Sequence, residues 1–422
     1  MVLSFLVSVL SSTVDRFERM LVYLNKPVFL FKKPSKKYSR DELVNFSQPT
    51  TARNNICSLA RNRVNNILAQ LNETYRIKPR IAIELEFTLR SNNGKPYRLT
   101  SVEFKALEAL LKQKYPCLIR LDYDGKYDLE AVFDSENSNP INLIDDVNSF
   151  KKEFTKNIQS LKESDTSFFD GQNLSICLNP YQPDISRFSS NTYGLHINLS
   201  LYKDGKNIFA SDEALLKNVA SNILDVQGAS FTLASRKPGI ERISKGKTSP
   251  KWLGIGKNLS SGGVPVITSY VTALGGFIPF AIINDVNSCN WGDLLAVPSF
   301  ALLFCALITS KNPSIAIRKL EKNPLFKWIP SQRLIKSSNQ SRLENRMPGA
   351  DQSIALAVLS TLYPALVALE TKNPTLSANR PFKQNPEELL SEVINQGEKL
   401  KKMYGEELFF ELYQNALKEL LD

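Results

Sequence analysis

Four short stretches of this 422-residue chain bring together side chains that could do chemistry. In Ile83-Glu84-Leu85-Glu86-Phe87 two carboxylates stand two residues apart, so a strand would turn both to one face. Like charges side by side are costly unless a cation lies between them. Asp122, Asp124, Asp128 and Glu130 flank Gly125, and Asp128 and Glu130 again share a strand face. His196 is the only histidine in the chain. It lies in Gly194-Leu-His-Ile-Asn-Leu-Ser200, which sets His196, Asn198 and Ser200 on one face. Arg342-Leu-Glu344-Asn-Arg346 alternates two arginines with a glutamate, and neighbouring guanidinium groups favour phosphate or carboxylate. Hard carboxylate oxygens with one imidazole suit Mg2+ or Mn2+ rather than zinc, and such ions clamp nucleotide phosphates. Each stretch alone also has a plainer reading: an acidic solvent face, a charged hairpin tip, a core imidazole, a salt-bridge ladder.

These residues need strands to hold them. Ile81–Leu89 alternates with period two, and Gly194–Tyr202 does the same. Leu118–Phe133 holds a tight turn at Asp124-Gly125 between two β-like runs, and Asp204-Gly205 marks another turn. A further strand is expected near 173–181. Ile56, Leu59, Val64, Ile67 and Leu71 form a helical stripe within 51–75. Helices are also expected over 1–25, 102–115 and 145–163, with two more over 386–421. Residues 26–50 are basic and Pro-punctuated, as in a loop or linker. Strands thus cluster between 80 and 210 and helices dominate elsewhere, which argues α+β, an antiparallel sheet covered by helices.

In order and texture these stretches resemble the glutamine synthetase family. Its members run through a Glu-x-Glu strand, an acidic hairpin, a Gly-x-Gly-Met-His-x-His-x-Ser-Leu strand, an Asn-Pro loop with basic residues, and Arg-Ile-Glu-x-Arg. The counterparts here are Glu84-Leu-Glu86, Asp122 to Asp128, Gly194-Leu-His196-Ile-Asn-Leu-Ser200, Asn312-Pro to Arg318, and Arg342-Leu-Glu344-Asn-Arg346. The likeness covers about residues 78–422, and 342–351 is closest to the γ-glutamyl-polyamine ligase branch. It implies a sheet funnel in which ATP phosphorylates a glutamate side-chain carboxylate and ammonia or an amine attacks the acyl phosphate. By position it implies one metal on Glu86, Asp122 and Asp128, and a second on Glu84, His196 and Glu344. Arg342 and Arg346 would face phosphate and substrate carboxylate, Ser200 would lie near adenine beside Asn198, and Arg318 and Arg333 would handle phosphate.

Several positions depart from that pattern. The hairpin offers Asp where the family has Glu, and Asn198 replaces a second histidine. A second alignment of the catalytic loop uses Arg236-Lys-Pro-Gly-Ile-Glu241. The alignment through Asn312–Leu320 is preferred here, and it makes 212–290 largely an insertion. Residues 1–77 read as a mostly helical extension in place of the family's β-grasp domain, which puts its ring oligomer in question while leaving a homo-oligomer possible. An ATP-dependent ligase is therefore expected, with a relative that binds nucleotide or a partner protein without turnover as the alternative.

The formal charge is +11, from 53 Lys and Arg against 42 Asp and Glu, and favours anionic partners such as ATP and an acidic small molecule. The basic residues are scattered, with no aromatic-interleaved motif, so no nucleic-acid partner is expected. The five cysteines are far apart and include no CxxC pair, which fits a reducing, cytoplasmic setting. The apolar N-terminus lacks a basic leader. Of the apolar runs, 264–284 is broken by Gly275, Gly276 and Pro279, and 296–309 is too short to span a bilayer; both read as core helices.

Overall fold

The computed structural model describes residues 36–46, 56–124, 127–136, 138–164, 166–182, 192–246, 252–253, 255–256, 264–267, 341–371, 380–383 and 385–421. The helices expected over 1–25, the apolar run 296–309, most of 264–284, and Arg318 and Arg333 lie outside these residues.

The strands are β1 (Lys78–Ser91), β2 (Pro96–Tyr97), β3 (Leu118–Tyr123), β4 (Asp128–Asp134), β5 (Leu174–Cys177), β6 (Leu195–Lys203), β7 (Lys206–Asn207), β8 (Trp252–Leu253), β9 (Ile255–Gly256), β10 (Val264–Ile267), β11 (Arg342–Asn345) and β12 (Arg380–Pro381). One sheet has the order β3-β4-β1-β6-β11-β10-β9, antiparallel except between β10 and β9. The longer helices are α1 (Arg40–Asn45), α2 (Ile56–Tyr75), α3 (Ser101–Lys114), α4 (Pro140–Ser164), α5 (Glu213–Ala234), α6 (Lys237–Lys245), α7 (Ile354–Glu370), α8 (Pro386–Asn395), α9 (Gly397–Tyr404) and α10 (Glu406–Leu421).

Local sequence explains several of these boundaries. The Thr100 side chain accepts from Glu103 N–H and Glu103 answers to the Thr100 N–H, a reciprocal cap that starts α3. Asp204 and Gly205 both adopt positive φ, 50° and 73°, which is what a two-residue hairpin turn demands. The C-terminal region forms three helices where two were expected. The chain breaks at Gln396, and again at Gly405, whose φ of 85° suits glycine.

Period-two alternation sorts the sheet into two faces. Ile81, Ile83, Leu85, Phe87 and Leu89 of β1 and Leu195, Ile197, Leu199 and Leu201 of β6 are buried. Phe150 of α4 packs against that side, its ring 5.8 Å from Phe87, 5.3 Å from Phe133 and 4.9 Å from Phe154. Burial of such apolar surface is the main source of stability. Helix α7 is apolar on almost every side and packs on both α2 and α5, as expected of a helix inside the core. Helix α5, from the stretch expected to be inserted, packs on α7, α8 and α10. Among the described residues no helix is long and apolar enough to cross a membrane.

Candidate metal and anion site

The opposite face of the sheet gathers the polar residues, and strand register decides which of them meet. Glu84 of β1 lies opposite His196 of β6, and Asn198 of β6 lies opposite Glu344 of β11. Directly paired residues point to the same side of a sheet, so three strands deliver Glu84, His196, Asn198 and Glu344 to one spot. In the next row Glu86 lies opposite Glu130 of β4, and Glu130 lies opposite Asp122 of β3.

His196 is the hub. Its Nδ1 is 3.4 Å from Glu84 Oε2 and 3.5 Å from Glu344 Oε1, and its Nε2 is 3.6 Å from Glu86 Oε1. Glu84, His196 and Glu344 each offer one ligand atom, all within 4.8 Å of one another. Around them, Asn198 Nδ2 donates to Glu84 Oε1 at 3.1 Å, while Asn198 Oδ1 accepts from Arg342 Nε at 2.8 Å. Arg346 Nε pairs with Glu344 Oε1 at 2.9 Å. The Gly194 N–H donates to Glu86 Oε2 at 2.5 Å.

The proton affinities reflect this crowding. Burial, reinforced by Glu84 and Glu86, pushes Glu130 up to about 7. Burial, with Glu86 nearby, also raises Asp124. Burial raises Glu344 against the opposing pull of His196 and Arg346. Burial acts on Glu84 in the same sense but is outweighed by His196, Arg342 and Arg346, which bring that carboxyl below its ordinary value. His196 is raised: burial opposes its charge, and Glu86 and Glu84 more than offset it.

Five carboxyls, Glu84, Glu86, Asp124, Glu130 and Glu344, thus interact around one imidazole, against three guanidiniums, Arg242, Arg342 and Arg346. The carboxyls outnumber the guanidiniums around the imidazole. Carboxylate oxygens with imidazole nitrogen are a donor set that Mg2+ or Mn2+ accepts.

Asp122 and Asp128 share the polar face but are engaged by other partners. Asp122 forms an ion pair with its neighbour Arg120 on the edge strand. Asp128 is buried and accepts from the Tyr193 hydroxyl at 2.8 Å. Beside Glu86, where Asp122 and Asp128 were expected as ligands, Glu130 and Asp124 act on Glu86 and His196. The Ser200 hydroxyl donates to the Ser341 carbonyl at 3.0 Å, fastening β11 to β6. Glu84, Glu86, His196, Asn198, Glu344, Arg342 and Arg346 do come together. Arg242 of α6 joins them, although nothing in Glu241-Arg242-Ile243 marks it for a site. Its only sequence signal is a basic residue on the apolar stripe of a short helix.

No family profile matches this chain, and no curated protein does. Among solved structures, a crystal structure described as that of a novel glutamine synthase homolog matches over 85% of this chain and 71% of its own, with a TM-score of 0.54 and 14% identity. At that identity the likeness concerns the fold alone: the antiparallel sheet and its covering helices form a glutamine synthetase-like fold.

Proposed function

We propose that this chain is an ATP-dependent carboxylate–amine ligase that works with Mg2+ or Mn2+. The observation that carries the reading is the convergence of Glu84, His196 and Glu344 from three strands, with Glu86 and Glu130 beside them and two arginines at the rim. Such a cluster is costly to leave without a cation and well matched to one.

In this reading Glu84, His196 and Glu344 would hold the ion, with Glu86 and Glu130 beside them. When bound, the ion neutralises phosphate charge and orients the transferred group. Arg342 and Arg346 supply the guanidinium forks that suit phosphate and carboxylate oxygens. Asn198 keeps Glu84 and Arg342 in register by bonding both. The γ-phosphoryl of ATP passes to the side-chain carboxylate of glutamate or a similar acid, releasing ADP. The amine nitrogen then attacks the acyl carbon, phosphate leaves with the acyl C–O bond's electron pair, and the nitrogen gives up one proton to solvent or the departing phosphate. The likeness of 342–351 to the polyamine-ligase branch favours an amine larger than ammonia.

The test is ADP release by purified protein with ATP, Mg2+, glutamate and either ammonia or a diamine. Release that requires both acid and amine supports the ligase; folded protein that neither binds nor hydrolyses ATP contradicts it. One observation favours a second reading, a nucleotide-binding relative without turnover: Asp122 and Asp128 are engaged by Arg120 and Tyr193, which thins the ligands for a second ion. That reading predicts thermal stabilisation by Mg2+ and ATP with no ADP formed.

A further inference from the structure

Arg242 is 2% exposed, on the helix α6 between buried Ile240 and Ile243. Its Nη1 donates to the carbonyls of Arg346 at 3.3 Å and Met347 at 3.1 Å, and its Nη2 donates to Arg346 O at 3.3 Å. Its Nε is buried and has no hydrogen-bond partner. Burial draws the guanidinium down to about 10, with Glu86 pulling the other way, so it stays charged at neutral pH. Enclosing a full charge costs several kcal/mol, and a Met or Leu of similar volume would fill the same space without that cost. Packing alone therefore does not account for an arginine here.

The close approach at Gly194 shows what stands beside it. A Cβ on Gly194 would lie 2.6 Å from Arg242 Nη2 and 2.5 Å from His196 Nε2. The two nitrogens can therefore be no farther apart than those distances together, about 5 Å. Gly194 is the position that lets guanidinium and imidazole stand this close, while its own N–H holds Glu86.

We propose that Arg242 is a positioning residue of the site: in the space left open by Gly194 it fastens the main chain of Arg346 and Met347 and stands against the His196 ring, so that His196 and Arg346 meet the carboxylates in one arrangement. What those positioned groups are for rests on the metal-dependent reading above; the positioning itself does not.

The test uses the single histidine. In full-length protein carrying no added histidines and labelled with 15N-histidine, all imidazole signals belong to His196. Arg242→Met is expected to displace those signals or split them into several. Arg242→Lys, which keeps the charge and one carbonyl contact, should displace them less. Phe409→Leu, a core change within the packing of α10, should leave them in place despite its cost in stability. Unchanged ring signals in Arg242→Met, or an equal displacement by Phe409→Leu, would overturn the proposal. If Arg242→Met does not fold, Arg242→Lys decides alone: wild-type signals overturn the proposal and displaced ones support it. Calorimetric Mn2+ titration forms the second arm, with affinity in the folded Arg242 variant expected to fall at least about tenfold, as for loss of an outer support of a metal ligand. Equal affinities overturn the functional weight of the positioning. A wild type that takes up no Mn2+ sinks the metal reading, and the ring signals then judge Arg242 by themselves.

Discussion

Replacing Glu130 by Gln should have opposite effects with and without a divalent ion. Glu130 lies directly opposite Glu86 in the sheet, and burial with Glu84 and Glu86 pushes it from 4.5 up to about 7. An acid raised on folding binds its proton more tightly folded than unfolded. The stability it lends is complete below its unfolded value and lost as pH rises through about 7. At pH 8 the folded state bears the full penalty of the charged form, at most about 3 kcal/mol for a gap of this size. Glutamine is nearly isosteric and carries no charge. In chelator at pH 8, urea unfolding should show Glu130→Gln more stable than wild type by about 1–3 kcal/mol. At pH 5 the advantage should shrink to below about 1 kcal/mol. Saturating Mg2+ should then stabilise wild type more than the variant, because the variant has lost one of the charges the ion neutralises. A variant less stable than wild type in chelator at pH 8, or one with an undiminished Mg2+ increment, would refute the account of a cluster strained by its own charge.

Other expectations follow from single contacts. Glu344→Gln removes an anionic donor 3.5 Å from His196 and the partner of Arg346, and should weaken Mn2+ binding, measured by calorimetry, by at least about tenfold. Phe150→Ala empties the centre of the aromatic cluster on the other face of the sheet, and should cost about 3–5 kcal/mol in urea unfolding while leaving metal affinity in the folded fraction unchanged. Lys151, whose ammonium donates to the carbonyls of Ala350 and Gln352, is drawn down to about 8 by burial. The unfolded chain then holds this proton more tightly. Stability should rise as pH climbs from about 8 toward 10.5, and Lys151→Met should flatten that rise in a pH series of unfolding curves.

How much of this was legible beforehand depended on range. Glu84 and Glu86 needed only a two-residue period, and β1 indeed runs from Lys78 to Ser91 with both on its polar face. The meeting of His196, Glu84 and Glu344 followed from family order rather than from any local pattern. The choice between Asp128 and Glu130 was different in kind. It depends on the register of β4 against β1, which sets Glu130 opposite Glu86 and Asp128 opposite Thr88, and no residue near the hairpin announces that register. Ser200 shares a face with His196, yet its hydroxyl is taken by Ser341, 141 residues later. Arg242 was invisible for the same reason: a buried guanidinium is justified only by the carbonyls of Arg346 and Met347, more than a hundred residues away.

The central claim, a divalent ion held at His196, can be tested most directly at that one imidazole. In tag-free protein labelled with 15N-histidine, one equivalent of paramagnetic Mn2+ should broaden the His196 ring signals beyond detection, and Mg2+ should shift them without broadening. Ring signals that stay sharp and unmoved through excess Mn2+ and Mg2+, in folded protein, would contradict the claim.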